Sequence, residues 1–161
     1  EKFRLRFYNN DPSFIRLEKK SKINELCCKE KLSISKEQCE KLLQGDIDWL
    51  VISGNGLLQE LYARMKHQLL RPKTVVDYAR EAYIYEPGNV RITFDSNLQS
   101  GLFSRDFLAP DLPTVAMTPN DKVILEVKFD EFLPELIRDI IQTNQRRSSS
   151  ISKYAACRMF G

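Results

Sequence analysis

The sequence predicts an α+β fold in which antiparallel strands are flanked by helices. The first 22 residues alternate apolar and charged side chains around a turn. The same alternation returns in later segments rich in β-branched and aromatic residues. Between and after these segments, apolar residues recur at helical spacing.

Read at a period of two, Lys2, Arg4, Arg6 and Tyr8 share one face, and Phe3, Leu5 and Phe7 the other. Asn9, Asn10, Asp11 and Pro12 supply turn chemistry. The return strand sets Arg16, Glu18, Lys20 and Lys22 against Ile15 and Leu17. Taken alone, such a ribbon is a hairpin whose charged face meets water. The repetition of arginine in later strands argues for an anion, because the planar guanidinium fork suits phosphate.

Residues 23–34 read as strand continuation and loop. Ser35 is placed to cap a helix, with Gln38 completing a capping box and Gly45 ending the helix. Trp49 lies in a short turn. Ser53-Gly54-Asn55-Gly56 lacks the GxxxxGK[ST] spacing of a phosphate loop and reads as a turn. The next helix spans about Leu57 to Leu70, with Leu58, Leu61, Met65 and Leu69 on one stripe. His67, the sole histidine, is expected to face solvent.

Strands follow over Lys73–Tyr85 and VRITFD, joined by a tight turn at Glu86-Pro87-Gly88-Asn89. The first places Val76, Tyr78 and Arg80 on one face. The second sets Arg91, Thr93 and Asp95 opposite Val90, Ile92 and Phe94. Residues 97–121, with Pro110, Pro113 and Pro119, read as a long irregular loop. In Lys122–Asp130, Val123, Leu125, Val127 and Phe129 oppose Glu126 and Lys128. Pro134 opens a helix carrying Leu136, Ile137, Ile140 and Ile141. Gln145–Ser150 reads as a mobile basic linker, and ISKYAACRMFG as a short helix presenting Lys153.

At 161 residues the chain fits a single domain, 1–161. A net charge of +3 argues against a general nucleic-acid binder, so any anion site must come from local clustering. No apolar run approaches the ~20 residues of a membrane-spanning helix. Cys27, Cys28, Cys39 and Cys157 do not form a CxxC pair, and four thiols in this length suggest a reducing compartment. One histidine leaves little room for a His-based zinc site or a Ser-His-Asp triad.

One face of each strand collects Arg4, Arg6, Arg16, Lys20, Arg80, Arg91 and Lys128 against Glu18 and Glu126. Were the strands to curl into a barrel, such residues could not form a dry core. They would line a wet lumen holding a polyanion, and guanidinium and ammonium groups along a phosphate chain make chemical sense. A minority acid such as Glu126 suits a divalent metal bridging phosphates. The plainer reading of Glu126, favoured by spacing alone, is an ion pair with Lys128 or a nearby arginine. Arg4→Ala or Arg80→Ala is expected to weaken binding of such a phosphate chain and spare the fold.

The segments KFRLRFYN, IRLEKKSK, VVDYAREAY, NVRITFD, VILEVKFDEFLP and SISKYAACR together resemble the polyphosphate-polymerase (VTC) domain of the vacuolar transporter chaperone family. The likeness is to its bacterial branch, within the triphosphate-tunnel metalloenzymes, and covers nearly the whole chain. It implies an antiparallel β tunnel with surrounding helices. ATP would bind inside and pass its terminal phosphoryl group to a growing polyphosphate chain, with Mn²⁺ or Mg²⁺ required. Arg4 and Arg6 resemble the RxR pair, Lys20 the lysine of the following strand, and Arg80 and Arg91 the arginines of the next two. Glu126 resembles the metal-binding glutamate, Lys128 its neighbour, and Lys153 the lysine near the tunnel mouth.

The resemblance also implies a membrane-protein partner and a cytoplasmic location at the inner face of a membrane. Family members carry further N-terminal strands ahead of the RxR strand. The tunnel built from this chain is therefore expected to be incomplete there, with an open edge that pairs with the missing segment or another chain. Two other functions fit the same faces: a non-catalytic module that binds phosphate or polyphosphate, and a triphosphatase. Triphosphatases of this type rely on an acidic ExExK strand, which this sequence does not contain.

Overall fold

The alternating N-terminal stretch forms two antiparallel strands, β1 (Lys2–Tyr8) and β2 (Asp11–Ile23). Asn9 and Asn10 between them both take left-handed φ, 55° and 52°, which asparagine tolerates better than most residues. The computed structural model describes residues 1–24, 26–102, 106–119, 122–142 and 149–158. They belong to two units, Glu1–Lys73 with Arg105–Leu112, and Thr74–Ser104 with Pro113–Gly161.

In the first unit a third strand, β3 (Leu26–Ile34), pairs antiparallel with β2, giving the order β1-β2-β3. The sequence reading of 23–34 as partly loop is corrected here. LCCKEKLSI buries only Ile34 fully, because β3 is an edge strand exposed over most of its length, so its hydrophobic pattern is faint. The apolar face of the sheet, with Ile15 and Leu17 almost wholly buried, packs on three helices. These are α1 (Lys36–Gln44), α2 (Asp48–Ile52) and α3 (Gly56–His67). Leu42, Leu50, Leu58, Leu61 and Met65 complete the core, each burial contributing about 1.5–3 kcal/mol. Phe7 meets Phe107 edge-on, ring centroids 4.9 Å apart.

The helix ends follow the local chemistry. Ser35 and Gln38 form the reciprocal capping box, and Gly45 closes α1 in the left-handed conformation at φ 86°. Asn55 caps α3 by accepting from the backbone N–H of Leu57 and Leu58. The expected stripe loses its last member: α3 stops at His67, and Leu69 lies beyond it at φ 55°, mostly exposed. His67 is exposed, as expected.

The second unit carries β4 (Thr74–Tyr85), a 3-10 turn at Pro87–Asn89, and β5 (Val90–Leu102). Two short strands, β6 (Val115–Ala116) and β7 (Ile124–Lys128), pair with opposite ends of β5. The expected loop at 97–121 is thus partly sheet. Its first residues extend β5, and a bulge explains why the pattern hid this. Between Asp77 and Ala79 the register shifts by one residue, with Asn97 at φ 53° on the β5 side. Buried positions therefore switch from Thr93 and Asp95 to Leu98 and Ser100.

The remaining expectations for this unit need amendment. The strand read over Lys122–Asp130 is shorter: Val123 and Phe129 lie outside β7 and are about half exposed. Helix α4 (Glu135–Ile141) buries Ile137 but leaves Leu136 and Ile140 exposed. Helix α5 (Lys153–Cys157) is capped by Ser152 and fixed to β5 where the Ser100 hydroxyl donates to the Cys157 carbonyl at 3.0 Å. Most of the expected linker at 145–150 lies outside the described residues.

The architecture is therefore α+β with antiparallel sheets and flanking helices, and among the described residues neither sheet closes on itself. All four cysteines are free. Among the described residues no helix is long and apolar enough to cross a membrane.

Candidate functional site

Because side chains alternate along each strand and the three strands of the first sheet are in register, residues of like parity line up in rows. On the face away from the helices the rows are Lys2–Lys20–Lys29, Arg4–Glu18–Lys31 and Arg6–Arg16–Ser33. Seven of these nine positions are basic and one is acidic. Like charges directly opposite destabilise a sheet, so the row pattern favours an anion laid across it. Arg4 is tied to Glu18, Nε to Oε2 at 2.5 Å. Arg6 donates to the Tyr8 hydroxyl at 3.1 Å, and Arg16 lies 4.8 Å from the Phe14 ring centroid. Aromatic faces hold guanidinium groups without consuming most of their donors.

On the opposite face one charged residue is buried. Lys19 shares the parity of Ile15 and Leu17 and bonds Glu60 of α3 at 2.6 Å and Glu30 at 3.4 Å. The hydrogen bond to Glu60 raises its pKa against the opposing effect of burial. This ammonium is structural, and it does not join the cationic rows.

In the second unit the register aligns Arg80 with Asp95, Thr93 with Glu126, and Arg91 with Lys128. The Asp95 carboxylate, 1% exposed, is the centre of this face. Arg80 donates to it twice, Nε to Oδ1 at 2.6 Å and Nη2 to Oδ2 at 2.7 Å. Lys153, reaching over from α5, places Nζ 2.6 Å from Oδ2. Tyr78 offers its ring to both cations, 5.3 Å from Arg80 and 5.2 Å from Lys153. Burial pushes the Asp95 carboxyl up, and the bonds from Arg80 and Lys153 outweigh this, leaving it below its usual value. The same bond to Asp95 raises the Arg80 pKa.

Glu126 is held in the plainer manner read from its spacing: Oε1 lies 3.2 Å from Lys128 Nζ and Oε2 3.7 Å from Arg80 Nη2. Thr93, in the same cross-strand row, has a buried hydroxyl with no hydrogen-bond partner. A carboxylate and an unsatisfied hydroxyl are hard oxygen donors of the kind Mg²⁺ and Mn²⁺ accept. Among the described residues no three His, Cys, Asp or Glu side chains cluster as a metal site. Glu126 and Thr93 are thus two oxygen donors of the type a divalent cation would accept.

The sequence-derived residues thus fall into two sets. Arg4, Arg6, Arg16 and Lys20 share one face of the first sheet. In the second unit Arg80, Arg91, Glu126 and Lys128 share one sheet face, and Lys153 joins it through Asp95. Sequence reasoning did not include Asp95, Thr93, Lys29 or Lys31 in the site. Asp95 was visible as an acid at the parity of Arg91, where a buried carboxylate demands cationic partners. Lys29 and Lys31 were hidden because their strand lacks an apolar alternation.

No curated protein matches the chain. The VTC domain family matches residues 1–160, nearly the full length. The chain belongs to the VTC domain family, a membership that relates its function to polyphosphate.

Proposed function

We propose that the chain forms a single polyphosphate-polymerase domain, 1–161, whose charged faces line a basic tunnel of the triphosphate type. Its reaction is transfer of the ATP terminal phosphoryl group to a growing polyphosphate chain. The observation that carries this reading is the set of three cross-strand rows on the first sheet, basic at seven of nine positions. A linear polyphosphate repeats a negative charge along its length, as the rows repeat a positive one. No small neutral substrate would call for that density.

In this reading Arg4, Arg6, Arg16 and Lys20 bind the non-bridging oxygens of the phosphate chain. Arg80, Arg91, Lys128 and Lys153 neutralise the phosphoryl group in transit. An oxygen of the chain's terminal phosphate attacks the γ-phosphorus, the bond to the bridging oxygen breaks, and ADP leaves with that oxygen's electron pair. Glu126 would hold the Mn²⁺ or Mg²⁺, which would supply further charge neutralisation to the phosphates. No side-chain nucleophile takes part.

Glu126's pairing with Lys128 and Arg80 favours a second reading, a binding module that holds polyphosphate without turnover. Incubation with ATP and Mn²⁺, resolved on a polyphosphate gel, separates the two. Long polymer that disappears with Glu126→Ala supports the polymerase. Free phosphate without polymer points to a triphosphatase, and saturable binding without turnover to the binding module.

A further inference from the structure

We infer that Asp95 is a positioning residue, holding Arg80 and Lys153 in the orientation from which they meet phosphate; this rests on the polyphosphate reading above. Among the cations of the second unit's face, these two converge on one buried carboxylate. Asp95 takes Nε and one Nη2 proton of Arg80, leaving three of the five guanidinium donors for a ligand. Lys153 has three protons and spends one on Oδ2. Both side chains are long and lose much rotamer freedom when a ligand orders them. Here that ordering is done before the ligand arrives, by a two-point bond to a strand and by the Tyr78 ring beside them. Arg80 is on β4, Asp95 on β5 and Lys153 on α5, so one carboxylate sets the spacing of cations from separate elements.

The sign of the effect distinguishes positioning from simple electrostatics. A carboxylate close to a polyanion repels it, so on charge alone its neutralisation tightens binding. Positioning gives the opposite result. Calorimetric titration with inorganic tripolyphosphate is expected to show Asp95→Asn binding about tenfold more weakly than the wild type, the loss of a charge-assisted bond's worth of order. Arg80→Lys keeps the charge but not the two-point fork and is expected to weaken binding similarly, with the double variant adding little to either. In wild-type protein the Arg80 Nε–H proton, bonded to Asp95, is expected to exchange slowly and give a sharp NMR signal, and in Asp95→Asn to broaden. Equal or tighter binding by Asp95→Asn overturns the inference while the polyphosphate reading stands. If Asp95→Asn does not fold, Arg80→Lys decides, and wild-type affinity in it is the overturning result. A wild type that binds no tripolyphosphate overturns the functional reading and this inference together.

Discussion

Arg6 and Arg16 stand directly opposite one another on neighbouring antiparallel strands, one row from the pairing of Arg4 with Glu18. Two guanidinium groups at that position oppose folding slightly and favour any anion that bridges them. Arg16→Gln is therefore expected to stabilise the ligand-free protein by about 0.5 kcal/mol while weakening tripolyphosphate binding. Urea unfolding followed by the fluorescence of Trp49, the sole tryptophan and a residue of the first unit, measures the first effect. Calorimetry measures the second. A variant both less stable and unchanged in binding contradicts the reading of this row.

Arg4→Ala and Arg80→Ala both weaken phosphate binding in this account, but they differ in stability. Arg4 is about half exposed and its bond to Glu18 contributes under ~1 kcal/mol. Arg80 compensates a buried carboxylate, and its removal leaves Asp95 with Lys153 alone. The cost is expected near 3 kcal/mol, the lower end for breaking a buried pair, since Arg80 itself reaches solvent. The sequence-based expectation that Arg80→Ala spares the fold is revised accordingly. Thermal unfolding of the two variants side by side checks the contrast.

Acid should loosen the second unit through Asp95. Its carboxyl titrates below the value of about 3.9 that it has in an unfolded chain. The stability it brings is therefore fully present above that value and is lost as pH falls through the lower folded-state value. Hydrogen exchange of β5 amides, corrected for intrinsic rates, is expected to accelerate below about pH 4 in wild type. In Asp95→Asn the acid-dependent component shrinks.

Gly88 joins β4 to β5 at φ +74°, and a Cβ there would fall 2.5 Å from the Phe132 carbonyl oxygen. Its own carbonyl accepts from the Asp130 N–H, and Asn89 Nδ2 donates to Asp130 Oδ2 at 2.6 Å. Gly88→Ala combines backbone strain with a clash against main chain, and is expected to cost about 2 kcal/mol. Thermal unfolding measures it.

Where an element alternates cleanly or carries its own cap, it was legible in the sequence. The β1–β2 ribbon, the Ser35 box and the Gly45 stop all rest on interactions within a few residues. β3 was not legible, because an edge strand exposed on most positions has no reason to alternate. The reach of β5 past Asn97 was hidden by a bulge that switches its inward parity. The candidate cations on β1, β2, β4, β5 and β7 share the faces that parity set out. Lys29 and Lys31 on β3 did not show, and the role given to Lys153, on a helix, rests on the resemblance. Asp95's part did not follow from parity, because it depends on Lys153 arriving from a helix far along the chain. Lys19 shows the converse: its parity is apolar, and its carboxylate partners, Glu60 on α3 and Glu30 on β3, explain why an ammonium is tolerated there.

The central claim is that the two charged faces hold one kind of ligand, a phosphate chain. Titrating tripolyphosphate into protein labelled for arginine side-chain NMR tests it most directly. The account predicts shifts in the Nε–H signals of Arg4, Arg6, Arg16, Arg80 and Arg91, with Arg64, Arg71 and Arg138, which lie off these faces, unmoved. Shifts spread evenly over both groups, or confined to the second, would contradict it.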